Sequence, residues 1–120
     1  MRILVVDDEE QVRELAVHVL TRAGYSVVSA ASAAEALEVV AAESIDLVVS
    51  DVVMPGLTGI DLLTELRRQK PGLPVVLMTG GSSEPERTAK AIELGASAVV
   101  SKPYTHAELT NAIAEALASG

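Results

Sequence analysis

Five residues in this 120-residue sequence are of types that, if brought together, would suit a hard cation and a phosphoryl group: Asp7, Asp8, Asp51, Thr79 and Lys102. Clustered carboxylates repel one another, and a divalent cation relieves that repulsion. Mg²⁺ prefers oxygen ligands, takes one or two carboxylates, and keeps waters that phosphate oxygens can replace. Lysine supplies a compact positive charge suited to a phosphoryl group. A carboxylate nucleophile beside these groups suits phosphoryl transfer to an aspartate, where positioning and charge neutralisation supply most of the catalysis.

Taken singly, each residue has an ordinary explanation. Asp7 or Asp8 is placed to cap a first helix, with Glu9 and Glu10 favouring its positive end. Asp51 precedes Met54-Pro55-Gly56 and suits a turn. Thr79 stands beside Gly80-Gly81 as a loop hydroxyl, and a lone Lys102 is a solvated charge. Their shared location is what argues for a site. Each follows a short apolar run, and in an open α/β sheet ligands bind beyond the carboxyl ends of the strands.

Those runs are residues 3–6, 26–30, 45–50, 74–78 and 98–100, separated by amphipathic stretches. Val12, Leu15, Ala16, Val19 and Leu20 follow helical spacing, as do Ala33, Ala36, Leu37, Val40 and Ala41. Ile60, Leu63 and Leu66 mark a third helix; Leu109, Ala112, Ile113, Ala116 and Leu117 mark the last. A fourth helix, around residues 84–94, has the weakest stripe, carried by Ala89 and Ile92. Gly24, Pro71-Gly72 and Gly95 stand where helices are expected to stop. Gly80-Gly81-Ser82-Ser83 has the composition of a loop inside the domain. Strict alternation with short connections predicts a parallel sheet covered by helices on both faces.

Composition agrees with one such domain spanning residues 1–120. Hydrophobic residues make up 49%, with two Tyr and no Phe or Trp, so the core is aliphatic. The absence of cysteine excludes disulfides and thiolate chemistry. The first apolar run is too short for a signal sequence or a membrane span, so the expectation is a soluble, cytoplasmic protein with no membrane partner. Net charge is −8, and no basic stripe runs longer than Arg67-Arg68, which argues against direct nucleic-acid binding.

With these residues in view, the sequence resembles the receiver domain of two-component response regulators along its whole length. The likeness rests on Asp7-Asp8, on Asp51-x-x-Met54-Pro55-x-x-x-Gly59, on Thr79 before a small residue, and on Lys102-Pro103. It implies a flavodoxin-like (βα)5 three-layer sandwich with strand order 2-1-3-4-5, the order of this family's chemotaxis member. It also implies a phosphoacceptor at Asp51, supplied by a histidine kinase or histidine phosphotransfer domain. Asp8 would ligate Mg²⁺ directly, Asp7 mainly through water, and Asp51 and the backbone carbonyl of Val53 would complete the protein oxygens. Lys102 would contact the phosphoryl group, and Thr79 would move toward it after transfer. Such a protein catalyses only its own phosphorylation and dephosphorylation and then controls a partner or an attached domain.

Three positions depart from the family pattern. Val99 stands where an aromatic is frequent, and Val53 and Gly81 stand where polar side chains often tune dephosphorylation. Two other readings remain open on sequence alone. One is a receiver that acts as a phosphorylation-independent interaction module. The other is an aspartyl-phosphate hydrolase, although Val53 occupies the place of its usual second acid. A nucleotide-binding fold is disfavoured, because Asp7-Asp8-Glu9-Glu10 lacks the glycines that cradle a pyrophosphate.

Overall fold

The computed structural model describes residues 1–52, 56, 58–79, 89–90, 92–101 and 104–119. Five strands form one parallel sheet: β1 (Arg2–Val6), β2 (Ser26–Ala30), β3 (Leu47–Asp51), β4 (Val75–Thr79) and β5 (Ala98–Ser101). Their order is β2-β1-β3-β4-β5. Four helices accompany them among the described residues: α1 (Glu10–Arg22), α2 (Ala33–Ala42), α3 (Gly59–Gln69) and α4 (His106–Ser119). Residues 89–90 and 92–93, between β4 and β5, are also helical. The remainder of the helix expected over residues 84–94 lies outside the described residues, as does the 80–83 loop.

Successive side chains on a strand point to opposite faces, and the aliphatic core divides accordingly. Ile3, Val5, Leu47, Val49, Val76 and Met78 pack with Ala16, Val19 and Leu20 of α1 and Leu109, Ile113 and Ala116 of α4. Leu4, Val6, Val48, Val75 and Leu77 face the other way, against α2 and α3. Every residue of β3 and β4 is buried, as befits central parallel strands covered on both sides.

Some side chains depart from the expected stripes. Leu15 is 50% exposed; one residue turns the helix by about 100°, which carries Leu15 off the line of Ala16, Val19 and Leu20. Ala41 is exposed, whereas Leu62 of α3 is fully buried and was not on the expected stripe. Ala89 and Ile92 are both exposed, Ile92 by 61%. Leu94 instead packs against the α2–α3 core.

The connections are short and specifically made. Gly24 and Gly95 take φ of 101° and 98°, the left-handed conformation that ends a helix at low cost in glycine. Helix α3 starts with a capping box: Thr58 Oγ1 accepts from Asp61 N, and Asp61 Oδ2 accepts from Thr58 N. Its first residue, Gly59, donates to Val52 O at 2.8 Å.

Candidate functional site

Parallel register carries the predicted residues to one edge of the sheet. Val6 stands opposite Ser50, so Asp7 and Asp51 occupy the next step on neighbouring strands. Asp51 stands opposite Met78, which puts Thr79 one step further along β4. Thr79 in turn pairs with Ser101, the residue before Lys102. Asp51 and Thr79 are thus the last residues of β3 and β4 rather than the first beyond them. The ladder extends through them because their backbone groups pair regardless of the polar side chain.

One carboxylate oxygen from each of Asp7, Asp8 and Asp51 lies within 4.8 Å of the other two. Asp7 is fully buried, Asp51 is 7% exposed and Asp8 is exposed. At an effective dielectric of about 20, two unit charges at this spacing repel by on the order of 3 kcal/mol before any neighbouring cation is counted. A cluster with two buried acids and one exposed acid has the donor chemistry of a hard-cation site, which takes carboxylates on one side and water on the other. Thr79 is also buried beside it, with 1% of its surface exposed.

Hydrogen bonds fix the backbone beneath these groups. Asp7 N donates to Ala30 O at 3.2 Å, continuing the β1–β2 pairing one step past the strand. Asp7 Oδ1 accepts from Glu9 N at 2.9 Å. The residue that begins α1 as its cap is Glu9, with no side-chain cap bond, so neither aspartate serves as an ordinary helix cap. Arg13 Nη1 donates to the backbone carbonyl of Asp7 at 2.8 Å. On β3, Ser50 Oγ donates to Asp51 O at 2.9 Å, which satisfies a buried hydroxyl and holds the strand end.

Gly59 brings α3 against the same place. A Cβ there would stand 2.3 Å from Asp51 O and 2.8 Å from Val52 Cα, so only glycine admits this approach. The motif glycine is therefore explained by sterics, since its backbone conformation is an ordinary helical one. Arg13 and Ser50 had no place in the sequence-based site. Arg13 stands about one turn into α1, and its bond to a carbonyl six residues back leaves no mark in the sequence pattern.

Lys102 and the Val53 carbonyl lie outside the described residues. So does Gly81. Val99 is half-buried and packs against the α2–α3 core. Among the described residues, no helix is long and apolar enough to cross a membrane.

A parallel sheet with strand order 2-1-3-4-5 and three carboxylates at its carboxyl edge defines a flavodoxin-like α/β domain with an acidic site at the strand ends. The chain belongs to the response regulator receiver domain family, whose model matches residues 3–114. It is thus a receiver domain of the kind that serves two-component systems as a phosphoaccepting switch. It is 39% identical over 108 residues to the alkaline phosphatase synthesis transcriptional regulatory protein PhoP of Bacillus subtilis, covering 90% of this chain and 45% of PhoP. The receiver domain of NtrX from Brucella abortus superposes with a TM-score of 0.93 at 34% identity, covering 98% of this chain and 99% of that one. A receiver domain protein from Clostridium thermocellum gives a TM-score of 0.92 at 32% identity, covering 98% and 94%. The chain spans less than half the length of the curated relatives it matches here.

Proposed function

We propose that Asp51 takes a phosphoryl group from a phosphohistidine of a histidine kinase or histidine phosphotransfer domain, and that the resulting change of shape controls a partner or an attached domain in the cytoplasm. The observation that carries this reading is the convergence of Asp7, Asp8 and Asp51 within 4.8 Å at the ends of β1 and β3. Residues 1–120 act in it as one receiver unit.

An oxygen of the Asp51 carboxylate forms the new O–P bond as the N–P bond of the donor breaks. The bonding pair goes to the imidazole nitrogen, which takes up a proton from solvent. Later attack by water on phosphorus returns the carboxylate and inorganic phosphate. No outside substrate is turned over. Asp8 is assigned as the direct ligand of Mg²⁺, Asp7 as a ligand mainly through water, with Asp51 and the Val53 carbonyl completing the set. Mg²⁺ supplies charge neutralisation for the carboxylates and the incoming phosphoryl oxygens. Lys102 is assigned to the phosphoryl oxygens throughout. Thr79, buried at the end of β4, is assigned to the rearrangement after transfer.

The test is incubation with acetyl phosphate and with a phosphohistidine donor, with and without Mg²⁺, followed by peptide mapping of the modified residue. Label on Asp51 only when Mg²⁺ is present, and none in Asp51→Asn, is the expected result. Undiminished labelling of Asp51→Asn would overturn the assignment.

A further inference from the structure

We infer that Arg13 is a positioning residue for the cation site, acting by holding the peptide between Asp7 and Asp8. This rests on the proposed function of that site. The carbonyl of Asp7 belongs to the peptide group that leads into Asp8, and it lies where β1 has ended and α1 has not begun. Asp7 is fully buried, so a partner for that carbonyl must come from the protein. Arg13, half-buried on α1, reaches back six residues and donates Nη1 to it at 2.8 Å.

The effect on the site follows from geometry. Glu9 N holds the Asp7 carboxylate at 2.9 Å, and Ala30 O holds the Asp7 amide at 3.2 Å. Those two bonds settle Asp7 itself. They leave the plane of the following peptide to be set, and that plane decides where the exposed Asp8 carboxylate points. Arg13 sets it. The backbone of Arg13 is in turn fixed by its own helical bond to Glu9 O at 2.9 Å. The turn and the helix that follow β1 therefore form a closed loop of bonds around the acidic pair.

Two contributions of Arg13 have opposite signs, which makes the inference testable. A guanidinium beside a cation site repels the incoming metal, so its charge alone weakens Mg²⁺ binding. Its hydrogen bond pre-organises Asp8 and strengthens binding, as outer partners of metal ligands commonly do. The bond is short and made to a buried carbonyl, whereas the charge is partly screened by solvent. Positioning wins.

Arg13→Met keeps length and loses donor and charge, while Arg13→Lys keeps both. Mg²⁺ affinity would be measured by titration calorimetry, and the amide shifts of Asp8 and Glu9 by NMR without metal. The expected result is a loss of affinity of about tenfold in Arg13→Met, the low end for outer partners of metal ligands, displaced metal-free Asp8 and Glu9 amides, and recovery to within about twofold in Arg13→Lys. Arg13→Gln serves as the second uncharged variant, with a loss of the same sign expected, should the methionine fail to fold. Tighter Mg²⁺ binding in the uncharged variants would show that only the charge matters and overturn the inference. Unchanged affinity with a lowered melting temperature would show a merely structural role and overturn it equally. A wild type with no affinity for Mg²⁺ would instead sink the proposed function, and this inference with it.

Discussion

At the amino-terminal edge of the sheet, charged groups meet opposite charges and carbonyls one by one; at the carboxyl-terminal edge, three carboxylates share one place. At the first edge Arg2 pairs with Glu43 at 2.5 Å, and Asp46 Oδ2 accepts from Arg2 N at 2.7 Å. Arg67 turns its guanidinium onto the α3–β4 connection, where Nη1 donates to Pro71 O at 2.7 Å and Nη2 to Leu73 O. Burial lowers the Arg67 pKa, yet arginine remains charged, so the carbonyl dipoles serve as its counter-charge. At the other edge Asp7, Asp8 and Asp51 stand within 4.8 Å of one another. One edge uses polar groups to close the fold. The other brings three carboxylates together in an arrangement suited to a divalent cation, as functional sites commonly do.

If that contrast is right, mutations at the two edges have separable effects. The largest is expected at the carboxyl edge: Asp8→Ala removes a proposed direct ligand from a site with few protein oxygens and should weaken Mg²⁺ binding at least tenfold by calorimetry. A smaller one is expected at the amino edge. Arg67→Ala deletes charged donors to the carbonyls of Pro71 and Leu73 and should cost about 1.5 kcal/mol in urea unfolding. Its Mg²⁺ affinity should match wild type, and an altered affinity would break the separation of the edges.

The smallest effect belongs to an ion pair at neither edge. Hydrogen bonds from Arg68 and then Gln69 hold the Glu65 carboxyl down at about 2, against a usual 4.5. A lowered folded-state pKa means that its stabilisation is complete above the usual value and is lost as pH falls through about 2. The pair lies on the open face of α3, where solvent and salt screen it. Glu65→Gln should therefore leave the melting temperature at pH 7 within experimental error. A clear drop would show that surface pairs matter here as much as the edges do.

Much of this was legible beforehand, for identifiable reasons. The five apolar runs became five strands because parallel strands buried on both faces read as continuous aliphatic stretches. The three aspartates were found because each follows such a run. Strand ends were displaced at Asp51 and Thr79, since backbone pairing continues past the apolar residues that mark a strand in sequence. Arg13 was invisible because a hydrogen bond from a helix to the carbonyl six residues earlier leaves no pattern in composition or period. Gly59 appeared as a motif letter. Its physical reason, a helix pressed against the carbonyl of Asp51, needs coordinates. Leu15 and Ile92 were misassigned because helical spacing defines a face but not the width of the surface that meets it.

The most direct test of the contrast is a thermal melt of the wild type and of Asp8→Ala, each with and without Mg²⁺. Ligand linkage predicts that Mg²⁺ at a hundredfold its dissociation constant stabilises the wild type by about 2.7 kcal/mol. In Asp8→Ala that response should largely vanish. Without metal, the variant should melt no lower than wild type, because one of three crowded carboxylates has gone. A metal-free Asp8→Ala that melts well below wild type, or one that keeps the full Mg²⁺ response, would contradict the account.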